Sequence, residues 1–164
     1  MRPLDPDSLG QLYRQHAPAL RLFARQWGGI GDDLVHDAFV CLARQNPPPA
    51  NALAWLYRVV RTGALADRRA AGRRRRRESE VSPPEAWFTP VDESIDAHEA
   101  ARRLAELPLD VREIIVARLW GGLTFDEVSR LVGCSLATAH RKYQAGLMEL
   151  RKRLEGRWTP DPTT

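Results

Sequence analysis

The sequence lacks the features that membrane proteins, secreted proteins and metal enzymes need. No apolar run in its 164 residues approaches the roughly 20 residues that a membrane-spanning helix requires. The N-terminus, MRPLDPDSLG, has no apolar core of the kind found in signal peptides. Its two cysteines, Cys41 and Cys134, share no metal-ligand spacing and are expected to be reduced thiols. We therefore expect a protein that resides in the cytoplasm, without membrane contact.

Acidic residues are scarce in the first half of the chain. Residues 1–77 contain 14 arginines against 6 acidic residues, whereas residues 78–164 contain 11 basic residues against 15 acidic ones. Five of the arginines are consecutive, at 73–77, and we expect this block to fray from the end of the preceding helix. A cationic half of this size favours a polyanionic partner, although a solvated run of charge is the plainer interpretation of the block.

The stretch 123–153, LTFDEVSRLVGCSLATAHRKYQAGLMELRKR, has the pattern of a helix-turn-helix. Thr124 and Glu127 have the spacing of a capping box. Gly133 suits the positive φ of a sharp turn, and Ser135 suits the cap of a second helix. The polar side of that second helix carries Thr138, Arg141, Lys142 and Ala145. Such a helix can enter the DNA major groove, whereas an ordinary helical hairpin with a solvated face is the alternative.

Three further helices are predicted in the first half of the chain from the spacing of its apolar residues. Ser8 and Gln11 can form a capping box for the first of them. Pro18 lies inside the first pattern and should kink or break it. Asp32 is a suitable cap for the second helix, and Asn51 for the third.

The third of these helices combines aromatic residues with arginines. The residues expected on its outer side are Trp55, Arg58, Arg61, Thr62 and Arg69. Arginines can contact phosphates while an aromatic ring stacks on an unpaired base. In the plainer interpretation, Trp55 and Tyr57 belong to the core and the arginines are solvated.

An acidic stretch with three prolines and no helical period, residues 78–93, divides the chain. Fully extended, it could span roughly 50 Å. Helices are expected at 94–107 and 110–120, before the helix-turn-helix. The predicted fold is therefore all-α, with two small helical domains joined by a flexible linker and the helix-turn-helix in the C-terminal one. The predicted ranges are 1–77 for the first domain, 78–93 for the linker, 94–158 for the second domain and 159–164 for a disordered tail.

The order of these segments resembles that of bacterial RNA polymerase sigma factors of the small, extracytoplasmic-function (ECF) type. The resemblance is carried by LYRQHAPALRLFARQW, DDLVHDAFVCL, AWLYRVVRTGALADRRA and LPLDVREIIVARLWGGLTFDEVSRLVGCSLATAHRKYQAGLMELR. It implies sigma domain two at 1–77 and sigma domain four at 94–158. The implied function is to bind core RNA polymerase and to direct promoter-specific initiation by recognising and opening promoter DNA. It implies no catalysis, no cofactor and no metal, and it adds an anti-sigma regulator to the classes of partner.

The resemblance also assigns residues to three surfaces. The second helix would dock on the coiled coil of the polymerase clamp through Asp33, His36, Asp37 and Val40. The third helix would read and open the minus-ten element through Trp55, Arg58, Arg61, Arg68 and Arg69. The second helix of the helix-turn-helix would read the minus-thirty-five element through Thr138, His140, Arg141, Lys142 and Gln144. The chain departs from the family at His36, commonly glutamine, at Thr62, usually asparagine, and at 145–147, usually richer in arginine.

Two other classes of protein fit part of the sequence. A free-standing helix-turn-helix regulator that binds DNA as a dimer explains residues 123–153, but gives no reason for the acidic face of the second helix or for the aromatic-arginine third helix. A metal-dependent phosphohydrolase could use the dipeptide His36-Asp37, but that chemistry needs several more ligands converging on a metal. The remaining histidines, His16, His98 and His140, share no spacing with it.

Overall fold

The computed structural model describes residues 4–28, 31–77 and 102–155, and these residues form helices and no strand. The helices are α1 (Pro6–Arg25), α2 (Gly31–Ala43), α3 (Ala52–Arg77), α4 (Leu109–Leu119), α5 (Phe125–Val132) and α6 (Leu136–Glu155). A further helical turn at 102–105 precedes α4. The prediction of an all-α fold is confirmed. The predicted linker at 78–93, the first part of the predicted helix 94–107 and the predicted tail at 159–164 lie outside the described residues.

The first domain consists of α1, α2 and α3, which pack against one another around a shared core. The largest fully buried side chains of this core are Leu20, Phe23, Val35, Leu42, Leu56, Tyr57 and Val60. The rings of Phe23 and Tyr57 meet edge to face with their centroids 4.9 Å apart. The core therefore comes from one apolar stripe of each helix, as the sequence pattern predicts.

Helix α1 begins earlier than the sequence pattern predicts, so the proposed Ser8–Gln11 capping box is wrong. Asp5 is the cap, and its carboxylate accepts a hydrogen bond from the Ser8 main-chain N–H at 3.0 Å. Pro6 occupies the first helical position, where its missing N–H costs nothing. Pro18 lies inside the continuous helix, which has no break near it.

The ends of α3 give one confirmed and one wrong prediction. Asn51 caps its start, since the Asn51 side-chain oxygen accepts a hydrogen bond from the Ala54 main-chain N–H at 3.0 Å. Residues 73–77 do not fray: α3 continues through all five arginines to Arg77. The arginine block is therefore presented along a helix rather than in an irregular segment.

The second domain is built around α4, in which five consecutive residues, 113–117, are buried. Helices α5 and α6 both pack against α4 and against each other. Five consecutive residues cover every side of a helix, so the middle of α4 lies at the centre of the domain. The one charged residue in that buried run is Glu113, which is only 4% exposed.

Gly146 lies where α6 packs closely on α4, within the segment 145–147 that the resemblance singled out. Gly146 is buried in α6 at its contact with α4. A Cβ at this position would lie 2.5 Å from Val111 Cγ1 and 2.6 Å from Ile115 Cδ1. Only glycine allows the two helices to approach this closely.

Replacing Gly146 by alanine is expected to destabilise the protein by about 1 kcal/mol. Overpacking a filled core costs roughly 1–3 kcal/mol, and the better helix propensity of alanine returns about 0.5–1 kcal/mol of it. The free energy of unfolding, measured by urea denaturation, tests this. The matched control is Gly72→Ala in α3, where a Cβ would meet nothing within 4 Å, so this substitution should stabilise the protein. A stabilising Gly146→Ala would contradict the packing.

The two domains also contact each other. Helix α4 packs against α1, and α5 packs against α3. No local sequence pattern indicates this contact, because its partners are separated by the long stretch between residues 77 and 102. The contact involves one of the predicted nucleic-acid residues.

Candidate nucleic-acid and protein-binding surfaces

Helix α2 presents the predicted protein-docking residues on one side. Val35, Ala38, Phe39 and Leu42 are buried against the rest of the first domain. Asp33, His36 and Asp37 are exposed, and Val40 is half-buried beside them. The carboxylates of Asp33 and Asp37 have no ion-pair partner among the described residues. This face, Asp33, His36, Asp37 and Val40, is called the α2 face below.

Asp32 differs from these neighbours because it forms ion pairs with another helix of the first domain. Its carboxylate lies 3.3 Å from Arg21 Nε and 3.4 Å from Arg25 Nη2, so it joins the start of α2 to α1. Its predicted role was the cap of the second helix; the structure places it in the first turn of α2, after Gly31.

Helix α3 carries an exposed row of arginines. Arg58, Arg68 and Arg69 are exposed, and their side chains have no ion-pair partner among the described residues. The row continues toward the end of the helix with Arg73, Arg74, Arg76 and Arg77, which are also exposed. This arrangement concentrates positive charge on one rigid element, as a surface that follows a phosphate backbone requires.

Tyr57 lies in the core, as the plainer interpretation of α3 has it, whereas Trp55 is only half-buried. Tyr57 is 0% exposed, and burial raises the pKa of its hydroxyl. Trp55 packs on the edge of the core and keeps part of its ring accessible. Trp55 can therefore still stack on a base, but Tyr57 cannot.

Arg61 differs from the exposed arginines of α3 because its side chain has a partner in the second domain. Its guanidinium forms a bidentate pair with the Glu113 carboxylate of α4, with Nε donating to Oε1 and Nη2 donating to Oε2. The Glu113 side chain is 5% exposed, and that of Arg61 is 26% exposed. Burial raises the pKa of Glu113, although the Arg61 hydrogen bond and charge oppose this rise.

Sequence reasoning missed Glu113. The signal available was a single carboxylate in the apolar run of α4, since an acidic residue is rarely buried unless it is paired. Nothing local identifies its partner, because Arg61 lies 52 positions earlier in the chain.

The helix-turn-helix has the predicted local geometry. Thr124 and Glu127 form a reciprocal capping box, with the Glu127 N–H donating to the Thr124 hydroxyl at 3.2 Å and the Thr124 N–H donating to Glu127 at 2.7 Å. The second of these hydrogen bonds holds the pKa of Glu127 below its ordinary value. Gly133 ends α5 at φ 75°. Ser135 caps α6, since its hydroxyl oxygen accepts a hydrogen bond from the Thr138 N–H at 3.1 Å.

The five residues predicted to read DNA differ in how α6 presents them. Arg141 and Gln144 are exposed and have no side-chain partner among the described residues. His140 is exposed and its ring lies 4.6 Å from that of Phe125. Thr138 is half-buried, and its hydroxyl accepts a hydrogen bond from Ser135. Lys142 pairs with Asp110 of α4, which draws its ammonium toward the domain.

The residues predicted to contact DNA thus lie on two separate helices, α3 and α6. Within the part of the chain that the structure describes, Arg58, Arg68 and Arg69 on α3 and Arg141 and Gln144 on α6 have no side-chain partner, whereas Arg61 and Lys142 are paired. Among residues 4–28, 31–77 and 102–155, no group of three or more ligating side chains could hold a metal ion. No helix within those ranges is long and apolar enough to cross a membrane.

Two family models match the chain, and they fall on its two helical domains. The model described as Sigma-70 region 2 matches residues 12–80, and the model described as Sigma-70, region 4 matches residues 97–150. The curated relatives include the RNA polymerase sigma factor CarQ of Myxococcus xanthus. It is 26% identical over 157 residues, which cover 90% of each chain.

Solved structures with the same fold include two protein complexes. One is the sigma factor RpoE in complex with the anti-sigma factor NepR from Bartonella quintana, with a TM-score of 0.77, 24% identity and coverage of 92% of this chain and 98% of that one. The other is CnrH in complex with the cytosolic domain of CnrY, with a TM-score of 0.59, 24% identity and coverage of 93% and 91%.

Proposed function

This chain belongs to the Sigma-70 family, as an ECF sigma factor that directs promoter-specific transcription initiation, and from that premise we propose how its surfaces divide the work. The first domain binds core RNA polymerase through the α2 face and the minus-ten element through α3. The second domain binds the minus-thirty-five element through α6. The observation that carries this proposal is the helix-turn-helix, whose second helix presents an exposed arginine, Arg141, and an exposed glutamine, Gln144.

The α2 face supports the polymerase contact by its exposure and charge. Asp33 and Asp37 are exposed, without an ion-pair partner in residues 4–28, 31–77 and 102–155, on a helix whose opposite side is packed in the core. Carboxylates held in this way complement a basic surface without reordering on binding, which favours specific association. Val40 adds an apolar contact beside them.

Helix α3 supports the contact with the opened minus-ten element. Opening a duplex costs unstacking free energy, which phosphate contacts and base stacking on the released strand offset. The exposed arginines Arg58, Arg68 and Arg69 supply the first, and the accessible part of Trp55 supplies the second. Arg61 joins this set only when it leaves Glu113.

Replacing Arg58 by alanine is expected to weaken binding to a single-stranded minus-ten fragment and to make its salt dependence shallower. Each phosphate contact on a single strand contributes about 0.7 to the slope of log affinity against log salt concentration. Fluorescence anisotropy over a series of salt concentrations measures that slope. The matched control is Arg14→Ala on α1, an exposed arginine outside α3. Identical slopes for wild type and Arg58→Ala would show that Arg58 is solvated in the complex.

Helix α6 supports major-groove reading at the minus-thirty-five element. A helix-turn-helix places the first turns of its second helix nearest the base edges. Arginine can form a bidentate contact with guanine, and glutamine with adenine. Arg141 and Gln144 are therefore the principal base-reading candidates, with Thr138 and His140 beside them and Lys142 dependent on the release of Asp110.

We further propose that an anti-sigma regulator restrains this chain in the cytoplasm. The complex of the sigma factor RpoE with the anti-sigma factor NepR motivates this proposal. Sigma factors as a class are not enzymes, so the chemistry of RNA synthesis is left to the polymerase. Purification of the tagged chain from its own host, followed by identification of a stoichiometric bound protein, tests for such a regulator.

Gel filtration of the purified chain with bacterial core RNA polymerase is the experiment that tests the main proposal. The expected result is a stable complex that transcribes from selected promoters. Failure to co-elute, together with retention of the chain alone on duplex DNA, would instead support the free-standing helix-turn-helix regulator.

A further inference from the structure

Polar groups bridge the contact between the two domains at three places. The bidentate pair of Arg61 and Glu113 joins α3 to α4. Arg112, the neighbour of Glu113, donates a hydrogen bond from Nη2 to the main-chain oxygen of Gln26, at the end of α1, over 3.1 Å. The amide of Asn51, before α3, donates a hydrogen bond to the Glu127 carboxylate of α5. Each of these contacts crosses from the first domain to the second.

Tyr57 of the first domain is also buried at the contact between the domains. A Cβ at Gly121 would lie 2.5 Å from the Tyr57 hydroxyl oxygen. The backbone of Gly121, in the second domain, therefore packs directly against the Tyr57 ring. The Tyr57 hydroxyl is buried and has no hydrogen-bond partner among the described residues. An unsatisfied buried hydroxyl weakens the state that buries it, because water would satisfy it on opening.

The arrangement in which the two domains contact each other is called the closed arrangement. Two further features oppose it in free energy. The Glu113 carboxylate is buried, and a buried ion pair returns little net stability after desolvation of both charges. Burial, and then the nearby charge of Arg68, lower the pKa of Arg112. Closure therefore places like charges close together. Breaking the pair on one side only, however, would leave a buried carboxylate uncompensated, so the pair determines which arrangement the domains adopt.

We propose that the Arg61–Glu113 pair is an intramolecular latch, in which Glu113 occupies Arg61 in place of a DNA phosphate and holds the two domains together until nucleic acid displaces it. Carboxylate and phosphate both bind arginine through two parallel N–H···O hydrogen bonds, so they compete for the same edge of the guanidinium. The latch rests on the proposed function in one respect, namely that α3 contacts the minus-ten strand. The exposed Arg58, Arg68 and Arg69 provide the first attraction, and release of Arg61 adds a further phosphate contact.

The two native cysteines allow the latch to be tested in the full chain without DNA. Cys41 is exposed on α2 in the first domain, and Cys134 is half-buried at the turn before α6 in the second. Nitroxide spin labels on these two thiols report the distance between the domains, which pulsed electron paramagnetic resonance measures. We expect one narrow distribution for the wild type and a shift to longer distances for Glu113→Arg, which places a second cation against Arg61.

A charge swap distinguishes opening of the latch from misfolding of the second domain. The double variant Arg61→Glu with Glu113→Arg should restore the narrow distribution, because it rebuilds the pair in reverse. Glu155→Arg makes the same charge change at an exposed site of α6 and should leave the distance unchanged. A wild-type distribution for Glu113→Arg, or a swap that fails to restore it, would overturn the latch.

Binding of a single-stranded minus-ten fragment tests the competition. Glu113→Gln should raise the affinity several-fold and steepen the salt slope by about 0.7, the contribution of one added phosphate contact. That gain should vanish in Arg61→Ala with Glu113→Gln. Unchanged affinity in a variant that opens the domains would overturn the competition between Glu113 and phosphate. If the wild type did not bind the fragment at all, the proposed function would be contradicted. The distance between the labels on Cys41 and Cys134 would still test the latch.

Discussion

Replacing Asp37 by arginine is expected to abolish binding to core RNA polymerase while leaving the chain folded. Asp37 is exposed at the centre of the α2 face, and the opposite side of α2 supplies the core contacts. A reversed charge would face the basic surface that the α2 face is proposed to bind, and placing like charges together at an interface costs several kcal/mol. Gel filtration with core polymerase measures the loss, and circular dichroism measures the fold.

The matched control for this substitution is Asp7→Arg, which makes the same charge change at an exposed residue in the first turn of α1. It should leave polymerase binding intact. His36→Gln, which restores the residue that the family commonly has, should retain or strengthen binding. If Asp37→Arg bound polymerase with wild-type affinity, the docking surface would have to lie elsewhere on the first domain.

Replacing Arg141 by alanine is expected to weaken binding at the minus-thirty-five element by about 1–3 kcal/mol and to relax sequence preference at the base it contacts. Arg141 is exposed in the second turn of α6 and has no partner among the described residues. Within the described ranges, Arg141 therefore has no ion pair to break before it contacts DNA. Affinity for duplexes with each base substituted in turn measures both effects.

Two further variants separate base reading from simple charge. Arg141→Lys keeps the charge but loses the bidentate geometry, so it should relax the preference nearly as much as alanine does. Arg151→Ala removes an exposed charge from the same helix about 15 Å further along, and should weaken all duplexes alike. An unchanged preference in Arg141→Ala would remove this residue from the reading set.

The local features of the fold could be predicted from the sequence because each depends on residues within a few positions. The capping box of Thr124 and Glu127, the Asn51 cap and the positive φ of Gly133 all involve a single turn of chain. The same holds for the apolar stripes, since side chains three and four apart share one side of a helix. The all-α class followed from these features.

The wrong local predictions arose where two signals competed within the same turn. Ser8 and Gln11 have capping spacing, but Asp5 accepts the Ser8 N–H and also the Ser8 hydroxyl at 2.6 Å. Of the kink or break predicted at Pro18, the break is wrong, because α1 packs against α2 and α3 and stays continuous through this residue. Packing energy exceeded local propensity there.

The sequence by itself determined which helices form, which side of each is apolar and where the turn of the helix-turn-helix lies. Only the tertiary structure decided which charged side chains are free. Arg58 and Arg61 look equivalent in the sequence, but Glu113, 52 positions away from Arg61, pairs with Arg61 and not with Arg58. Lys142 is likewise paired with Asp110, 32 positions away. Periodicity acts along one helix, whereas charge pairing depends on which helices meet, and that is set by burial across the whole chain.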